Sequence, residues 1–265
     1  MLSQERQQSI LELLTESGSV TVNDLVARFA VSEMTIRRDL DLLERKGLLR
    51  RVYGGAVLER SRSYEPPFLT RSTEFHAEKQ RIGQAAAALV KNGESLALDV
   101  GTTTLEVARS LAASSANLAY GGRVEQKNLT IITPCFQIAA VLAETPGIRL
   151  ILSGGILRPS ELSMIGHLAE RAFQEFFVDK LFLGAAGVDF EAGVTEYNLE
   201  DTLVKKAMLR SAKEVILVVD ASKFNRVAFT AIAPLSAINR IVTDSRIEPR
   251  VKSLLENENI EVIIA

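Results

Sequence analysis

Residues 31–47 read VSEMTIRRDLDLLERKG and decide the fold of the first part of the chain. Ser32 is a typical N-cap, because its hydroxyl can accept a hydrogen bond from a free amide of the first helical turn. The glycine that ends the stretch supplies the left-handed residue at which many helices stop. Between these two positions, Ile36, Leu40 and Leu43 recur at the spacing of one helix face. The stretch therefore predicts a capped amphipathic helix with one buried face.

Ser32, Thr35, Arg37 and Arg38 start off the apolar face of this helix and cluster in its first turns. A short helix that presents Ser, Thr and paired Arg at its N-terminal end suits the major groove of DNA. An ordinary amphipathic surface helix with a solvated arginine pair fits the same spacing. The stretch alone leaves both interpretations open.

The flanking sequence favours DNA binding. Residues 4–15 predict a first helix, residues 17–20 predict a turn, and Thr21 can cap a short second helix. Three helices in this order form the helix-turn-helix arrangement. Residues 48–58 then predict a two-stranded wing that bends at its paired glycines.

The formal net charge of −2 and a pI near 5.9 argue against a generally basic nucleic-acid coat protein. Any DNA contact must therefore be local. Arg45, Lys46, Arg50 and Arg51 form a basic run with no acid among them, well placed for phosphates beside the groove. The predicted DNA-contacting residues are Thr21, Ser32, Thr35, Arg37, Arg38, Arg45, Lys46, Arg50 and Arg51.

Two segments resemble the DeoR family of bacterial transcriptional regulators. They read SEMTIRRDLDLLE at 32–44 and GLLRRVYGGA at 47–56, which is close to a family signature. The likeness in this part of the chain runs over about residues 5–57. The resemblance implies that this segment binds double-stranded operator DNA.

The composition, 47% hydrophobic and 24% charged, is that of a soluble globular protein with a sizeable core. The single cysteine cannot form an internal disulfide, and no Cys/His spacing typical of a metal site is present. No apolar run reaches the length of a membrane span, and no leader opens the chain. We expect a cytoplasmic protein with no membrane association and no cofactor.

The sequence predicts a DNA-binding domain at 1–58, a linker at 59–74 and an effector domain at 75–265. Paired prolines and polar residues disfavour regular structure in the linker. Beyond it, near-continuous apolar strands alternate with helices, which predicts an α/β domain with a mainly parallel sheet covered on both faces. Residues 113–128 look like a loose insertion.

In an open parallel sheet, ligands gather at the carboxyl ends of the strands. Residues 99–104, DVGTTT, follow a predicted strand and place a glycine and three threonines at a helix N-terminus. Free amides, the positive end of the helix dipole and hydroxyls make a natural phosphate cradle. The threonines could equally well serve only as caps for the helix.

Other predicted strand ends carry similar features. Gly154-Gly155 and the stretch 184–187 would let the backbone approach a ligand closely. Asp220 and Lys223 offer a carboxylate and an ammonium group after a buried strand, and Lys79 could bring a second cation.

These positions also resemble the DeoR-type sensor domain. The resemblance implies a fold akin to ribose-5-phosphate isomerase and a phosphorylated sugar as the effector. It implies phosphate or anion contacts for Lys79, for the threonines at 102–104 and for Lys223, and sugar hydroxyl contacts for Asp99 and Asp220. The full predicted effector-binding set is Lys79, Asp99, Gly101, Thr102, Thr103, Thr104, Gly154, Gly155, Gly187, Asp220 and Lys223.

Two functions remain open from the sequence. The first is a repressor that binds DNA as a homo-oligomer, dimer or tetramer, because operator half-sites are usually read by symmetric dimers. The second is a sugar-phosphate isomerase or hydrolase with an appended DNA-binding module, in which Asp99, Asp220, Glu196 and Lys223 would act as acids and bases. None of these four stands in a recognisable catalytic spacing, so we expect a protein that is not an enzyme.

Overall fold

The computed structural model describes residues 3–46, 48–57, 62–116 and 128–265. The chain divides into two units, Met1–Ser61 and Arg62–Ala265. Three sequence predictions fall outside the described residues: the stop at Gly47, the end of the wing at Leu58 and most of the insertion at 113–128.

The first unit is a helix-turn-helix domain with a β wing, as the sequence predicts. Apolar side chains from all three helices, among them Leu14, Leu25 and Leu40, form its core. The three strands form one antiparallel sheet in the order β1-β3-β2. The elements are α1 (Ser3–Ser17), β1 (Ser19–Thr21), α2 (Val22–Phe29), α3 (Glu33–Arg45), β2 (Arg50–Val52) and β3 (Gly55–Val57).

The wing has a third strand that the sequence does not predict. Residues 17–20 were expected to form only a turn, but β1 pairs with β3 along its whole length. Gly54 makes the hairpin turn with a φ of +81°. Gly55 has a different reason to be glycine, because a Cβ there would run into the Val20 carbonyl and lie 3.1 Å from the Thr21 Cα. The missing side chain is what lets β1 lie against β3.

Both predicted caps are present in this unit. Ser32 Oγ accepts a hydrogen bond from the amide of Thr35 at 3.3 Å and begins α3. Thr21 Oγ1 accepts one from the amide of Asp24 at 3.1 Å and begins α2. Each hydroxyl satisfies one of the amides that a helix N-terminus leaves without a partner.

A buried carboxylate holds α1 against α3. Asp39 on α3 is 4% exposed. Its two oxygens accept hydrogen bonds from Arg6 Nε at 2.5 Å, Gln7 Nε2 at 2.9 Å and Ser3 Oγ at 3.2 Å. A buried charge is tolerated only when it is paired and hydrogen-bonded, and Asp39 meets both conditions.

The second unit is built on a seven-stranded sheet in which all paired strands run parallel, in the order β15-β14-β12-β9-β4-β5-β6. The predicted mainly parallel α/β domain is confirmed. Two apolar clusters cover its two faces. Its helices are α4 (Phe68–Thr73), α5 (His76–Ala88), α6 (Thr102–Ala116), α7 (Phe136–Leu142), α8 (His167–Gln174), α9 (Leu199–Ser211) and α10 (Pro249–Asn257).

The sheet strands are β4 (Ser95–Leu98), β5 (Leu129–Thr133), β6 (Ile148–Leu152), β9 (Val178–Leu183), β12 (Ala212–Val218), β14 (Arg240–Thr243) and β15 (Glu261–Ile264). A hairpin of β7 (Ile156–Arg158) and β8 (Ser163–Ile165) and a small sheet of β10 (Gly187–Asp189), β11 (Gly193–Glu196) and β13 (Thr230–Ala233) complete the unit. Within the described residues, no helix is long and apolar enough to cross a bilayer.

Strands β12, β9 and β4 are neighbours in the sheet, so the residues that follow them meet at one edge. These are Asp99 after β4, Gly184 after β9 and Asp220 after β12. Gly154 follows β6, which β5 separates from β4. The strand order therefore decides which predicted strand-end residues can share a site.

Part of the predicted linker is helical. Residues 59–74 were expected to lack regular structure, but α4 occupies Phe68–Thr73. The paired prolines stand immediately before this helix, where the missing amide of a proline costs nothing.

Asp39→Ala would leave the Arg6 guanidinium and the Gln7 amide buried without their acceptor. Removing one partner of a buried ion pair costs about 3–5 kcal/mol. We expect native-state hydrogen exchange of the α1 and α3 amides in the full chain to show an opening free energy lower by about that amount. Glu12→Ala, at an exposed position of α1, is the control and should leave exchange unchanged. Equal effects of the two variants would show that Asp39 does not hold α1 on α3.

Candidate functional site

The two adjacent arginines of α3, Arg37 and Arg38, have different environments in the structure. Arg37 forms an ion pair with Glu33 one turn away, with Nε 2.9 Å from the carboxylate. Arg38 is exposed and has no ion pair or hydrogen bond among the residues that the structure describes. Ser32 Oγ and Thr35 Oγ1 lie 2.9 Å apart and bond to each other. Arg38 is therefore the arginine of this turn that is available to a base edge.

In the folded chain, acidic side chains of α3 lie next to the predicted basic run at 45–51. Arg51 pairs with Asp41 on α3, and its backbone amide donates to Glu44 at 2.6 Å. Strand β2 runs back beside α3 and brings these acids into reach, which the linear spacing does not show. Arg45 donates from Nε to the Asp41 carbonyl at 3.2 Å. Lys46 and Arg50 are exposed.

The predicted set of DNA contacts leaves out an exposed tyrosine and includes a threonine whose hydroxyl has a structural role. Tyr53 at the tip of the wing is fully exposed, although its position within the quoted motif could have singled it out. Thr21 was included among the DNA contacts, but its hydroxyl accepts from the Asp24 amide and donates to the Asp24 carboxylate at 2.7 Å. Capping thus already uses this side chain.

In the second unit, one cavity lies at the edge where β12, β9 and β4 end. It encloses about 40 Å³, which is room for a few water molecules. Five of the predicted effector-binding residues line it: Gly101, Thr102, Thr103, Thr104 and Lys223. The other lining residues are Arg71, Val100, Gly184, Ala185, Ala186, Glu196, Tyr197, Val218 and Val219.

The N-terminus of α6 forms one wall of the cavity. Gly101, with a φ of +145°, makes the turn into the helix, a conformation that favours glycine. Thr104 donates its hydroxyl to the Gly101 carbonyl at 2.9 Å and so has a local structural role. The hydroxyls of Thr102 and Thr103 make no hydrogen bond within the described residues. The first turn therefore keeps free amides, two hydroxyls and the positive end of the helix dipole.

Positively charged side chains converge near this wall. Lys223 and Arg71 line the cavity, and Lys79 lies close enough to interact electrostatically with both. Burial lowers the pKa of the Lys223 ammonium group, and repulsion from Arg226 and Arg71 adds to this against the attraction of Asp220. Burial likewise lowers the pKa of Lys79, to about 8. A negative ligand would relieve this crowding of like charges.

The floor of the cavity is a buried ion cluster. Lys205 on α9 pairs with Asp99, and its Nζ lies 3.1 Å from Glu196. The other hydrogen bond to Asp99 comes from the Gly184 amide at 2.9 Å. Burial raises the pKa of the Asp99 carboxyl to about 6, against the lowering effect of Lys205. Burial alone would lower the pKa of Lys205, but the two carboxylates raise it above its ordinary value.

Several predicted effector residues do not line the cavity. Asp99 lies beneath it, with its carboxylate engaged by Lys205. Asp220 Oδ1 accepts from the amide and hydroxyl of Ser222 at 3.0 and 2.5 Å. Lys79 donates to the backbone carbonyls of Arg71 and Glu74.

Three of the predicted effector-binding glycines, Gly154, Gly155 and Gly187, do not line the cavity. A Cβ on Gly155 would lie 2.6 Å from the Ile165 carbonyl oxygen. A Cβ on Gly187 would collide with the Arg226 carbonyl. Gly154 has open space around it and a φ of +72°. All three lie outside the cavity lining, so close approach explains two of these glycines without a ligand.

Tyr197 and Arg71 are lining residues that sequence reasoning missed. Tyr197 is 6% exposed, and its hydroxyl is buried with no hydrogen-bond partner among the described residues. It stands in the stretch 195–198, TEYN, where it follows a carboxylate that was considered only for acid–base chemistry. Arg71 lies in the predicted linker, where nothing in the local pattern marks it. A buried hydroxyl without a partner beside a cavity is a natural contact for a polar ligand group.

Comparison with known proteins agrees over both units. The sequence model described as a DeoR-like helix-turn-helix domain matches residues 6–62. The model described as a DeoR C terminal sensor domain matches residues 74–245. Together these two matches span most of the chain.

Named relatives are similar over nearly their whole lengths. A putative aga operon transcriptional repressor of Escherichia coli O157:H7 is 34% identical over 98% of this chain and 93% of its own. The glycerol-3-phosphate regulon repressor of Escherichia coli K12 is 32% identical over 99% of both chains. Among solved structures, ribose 5-phosphate isomerase A of Methanocaldococcus jannaschii matches with a TM-score of 0.41 and 19% identity, over 57% of this chain and 55% of that one.

The helix-turn-helix unit, the sensor-type unit and the full-length relatives therefore lead to one conclusion. The chain belongs to the DeoR family of bacterial transcriptional regulators.

Proposed function

We propose that this regulator represses a carbohydrate-utilisation operon and that a phosphorylated sugar, bound in the cavity of the second unit, controls its affinity for DNA. The observation that carries the proposal is the meeting of the α6 N-terminus with Lys223 and Arg71 around one cavity. A helix N-terminus and cations together favour a phosphate. The name of the glycerol-3-phosphate regulon repressor, a relative over the full chain, also includes a phosphorylated compound.

The DNA contacts are proposed for the exposed side of α3 and for the wing. Arg38 reads a base edge, because it is exposed and has no partner among the described residues. Lys46 and Arg50 contact phosphates, which fixes the position of the domain but carries little sequence information. Tyr53 at the wing tip adds a contact to the neighbouring backbone. Ser32, Thr35 and Arg37 support the helix start through their contacts with one another and with Glu33.

On the effector side, Thr102 and Thr103 with the first-turn amides hold the phosphate beside Lys223. Tyr197 and Glu196 also line the cavity, and a sugar hydroxyl group can bond to the Tyr197 phenol, which has no partner among the described residues. Lys79 and Asp220 do not contact the effector, and they influence its binding through their electrostatic interactions with Lys223. Asp99 supports the floor.

The proposed working form is a homo-oligomer, dimer or tetramer, in the cytoplasm. Operator half-sites related by symmetry require symmetric subunits, and the DNA of a bacterium lies in the cytoplasm. The proposed domain organisation is a DNA-binding domain at 1–58, a joining segment at 59–74 and an effector domain at 75–265.

We do not propose an enzymatic activity. The relatives are named as transcriptional regulators. Of the four residues that could supply acid and base groups, Asp99 and Glu196 both hold Lys205, and Asp220 bonds to its own turn. A carboxylate that is bound to a buried cation is poorly placed to take a proton from a substrate.

The direct test is the thermal stability of the intact protein against a panel of sugar phosphates and their unphosphorylated parents. A ligand that binds only the folded state raises the melting temperature by mass action. One phosphorylated sugar should stabilise the protein while its parent does not. Stabilisation by the parents alone would remove the phosphate from the proposal.

Arg38→Ala should weaken binding to an operator selected from random duplexes by at least about fivefold, since a bidentate base contact contributes about 1–3 kcal/mol. Fluorescence anisotropy at fixed salt measures this, because phosphate contacts make affinity depend on salt. Arg81→Ala removes the same charge from an exposed position of the second unit and should change neither affinity nor melting temperature. A large fall in the melting temperature of Arg38→Ala would show a structural role instead.

Lys223→Ala should keep operator binding and lose the response to the effector. The reason is that its ammonium group lines the cavity and supplies charge to the phosphate. The measurement is operator affinity with and without the sugar phosphate identified by thermal shift. Lys213→Ala, a lysine of β12 outside the cavity lining, is the matched control. An unchanged response in Lys223→Ala would exclude this lysine from the site.

The charge on Lys79 should make stability rise with pH in the alkaline range. Its pKa is lowered from 10.5 to about 8 in the folded protein, so below pH 8 the folded state carries the full cost of the buried charge. Between pH 8 and 10.5 the unfolded chain binds more protons than the folded chain, and this cost disappears. The free energy of urea unfolding of the wild type, relative to Lys79→Met, should therefore increase from pH 8 towards 10. A flat or falling difference would contradict the lowered pKa.

A further inference from the structure

Arg71 is held on the protein side by two hydrogen-bond acceptors and one further ion-pair partner. Its Nε donates to the Pro66 carbonyl at 2.9 Å. Its Nη2 bonds to Glu161 and lies 3.6 Å from Glu65. The ring of Phe68 lies beneath the guanidinium at 5.8 Å. These contacts fix the orientation of a side chain that is otherwise long and flexible.

One end of this guanidinium remains available. Nη1 of Arg71 donates no hydrogen bond within the described residues, while Arg71 lines the cavity together with Lys223. A planar guanidinium can hold a carboxylate on one side and a phosphate oxygen on another, which an ammonium group on a flexible stem does less well. Arg71 is therefore a preorganised anion contact on the α4 side of the cavity.

The cavity must enlarge to admit a ligand with a sugar ring. Its volume of about 40 Å³ holds a few water molecules, and the sheet ends and α6 that form its other walls belong to the buried core. Helix α4 has only six residues and lacks a buried side chain. Its attachments are Phe68, which packs against the core, the Arg71–Glu161 pair and the bonds that Lys79 makes to the carbonyls of Arg71 and Glu74. It is the wall that can move at least cost.

Helix α4 itself lies within the joining segment, residues 59–74. Glu65, three residues before the helix, is held by both Nη atoms of Arg158 at 2.7 and 3.2 Å. Arg158 in turn pairs with Asp201 on α9. A displacement of Arg71 therefore acts on an ion network that includes the joining segment.

Resting on the proposed function, we propose that Arg71 binds the anionic group of the effector. Binding exchanges the Arg71–Glu161 contact for an Arg71–phosphate contact. This exchange shifts α4 and the rest of the joining segment. Glu161 is 2% exposed, so the free arrangement is held by a strong buried pair. The ligand favours the shifted arrangement only by the contacts it gains there, as any effector must.

The decisive variant is Glu161→Gln, tested in the full-length protein with inorganic phosphate as the probe. Weakening the competing carboxylate should free Arg71, so phosphate should bind about fivefold to tenfold more tightly than to the wild type, as a charged hydrogen bond becomes a neutral one. Arg71→Ala should bind phosphate at least about tenfold more weakly. Glu94→Gln is the matched control, because Glu94 pairs with the buried Lys180 at the other end of β4, and its phosphate affinity should equal that of the wild type.

Hydrogen exchange provides a second measurement that does not depend on affinity. Amides of 68–73 should exchange faster in Glu161→Gln than in the wild type without any ligand. In the wild type, phosphate should accelerate exchange in α4, whereas ligand binding to a static wall would slow it. Amides of β4 and β9 should not change.

The outcomes separate this proposal from the proposed function. Phosphate binding to the wild type with weaker binding to Glu161→Gln would overturn the exchange of contacts and leave the effector site standing. Unchanged phosphate affinity in Arg71→Ala would remove Arg71 from the site. An absence of phosphate binding to the wild type, together with no stabilisation by any sugar phosphate, would overturn the effector site itself and this proposal with it.

Discussion

The buried contact of Lys205 with Asp99 and Glu196 is the interaction on which the cavity depends. It joins α9, the end of β4 and the end of β11, three elements that are far apart in sequence. The amides of Gly184 and Tyr197 supply the remaining hydrogen bonds to the two carboxylates, at 2.9 and 2.8 Å. Removing Lys205 would leave two buried carboxylates without their cation, which is far more costly than exchanging the whole cluster for apolar residues.

This cluster also decides which charged groups line the cavity. Lys205 engages the Asp99 carboxylate, which does not line the cavity, and the positive groups of the lining are the α6 N-terminus, Lys223 and Arg71. A negative floor under a positive rim orients an anion towards the rim. The same geometry explains how residues typical of acid–base chemistry can line a site while being committed to holding the fold.

The sequence predicts a good part of this site for a physical reason. Strands that follow one another with helices between them form a parallel sheet, and the residues after such strands meet at one edge. This rule correctly places the α6 N-terminus and Lys223 at the edge of the sheet where the cavity lies. It does not bring Gly154 and Gly155 to the cavity, because strand order is set by tertiary packing, and β5 lies between β6 and β4. It also fails for Arg71, whose partners Glu65 and Glu161 are remote from each other in the chain.

In the first unit, the local rules succeed and the cross-element contacts are missed. The caps at Thr21 and Ser32 depend on a hydroxyl and an amide three residues apart, so the pattern alone is sufficient. The pairing of Arg51 with Asp41 and the burial of Asp39 depend on which elements pack together. Asp39 lies three residues after Ile36 and four before Leu43, so periodicity places it on the buried face. Only the proximity of Arg6 and Gln7 on α1 makes a carboxylate tolerable there.

The contacts of Glu65 and Arg71 have a consequence for protein engineering. Similarity to the sensor domain begins at residue 74, yet Arg158 and Glu161 of the second unit take their partners from upstream of that boundary. A hybrid regulator joined at residue 74 would combine these side chains with foreign partners and leave buried charges mismatched. A join before Glu65 keeps the ion network within one parent, so the transferable module begins about ten residues earlier than sequence similarity suggests.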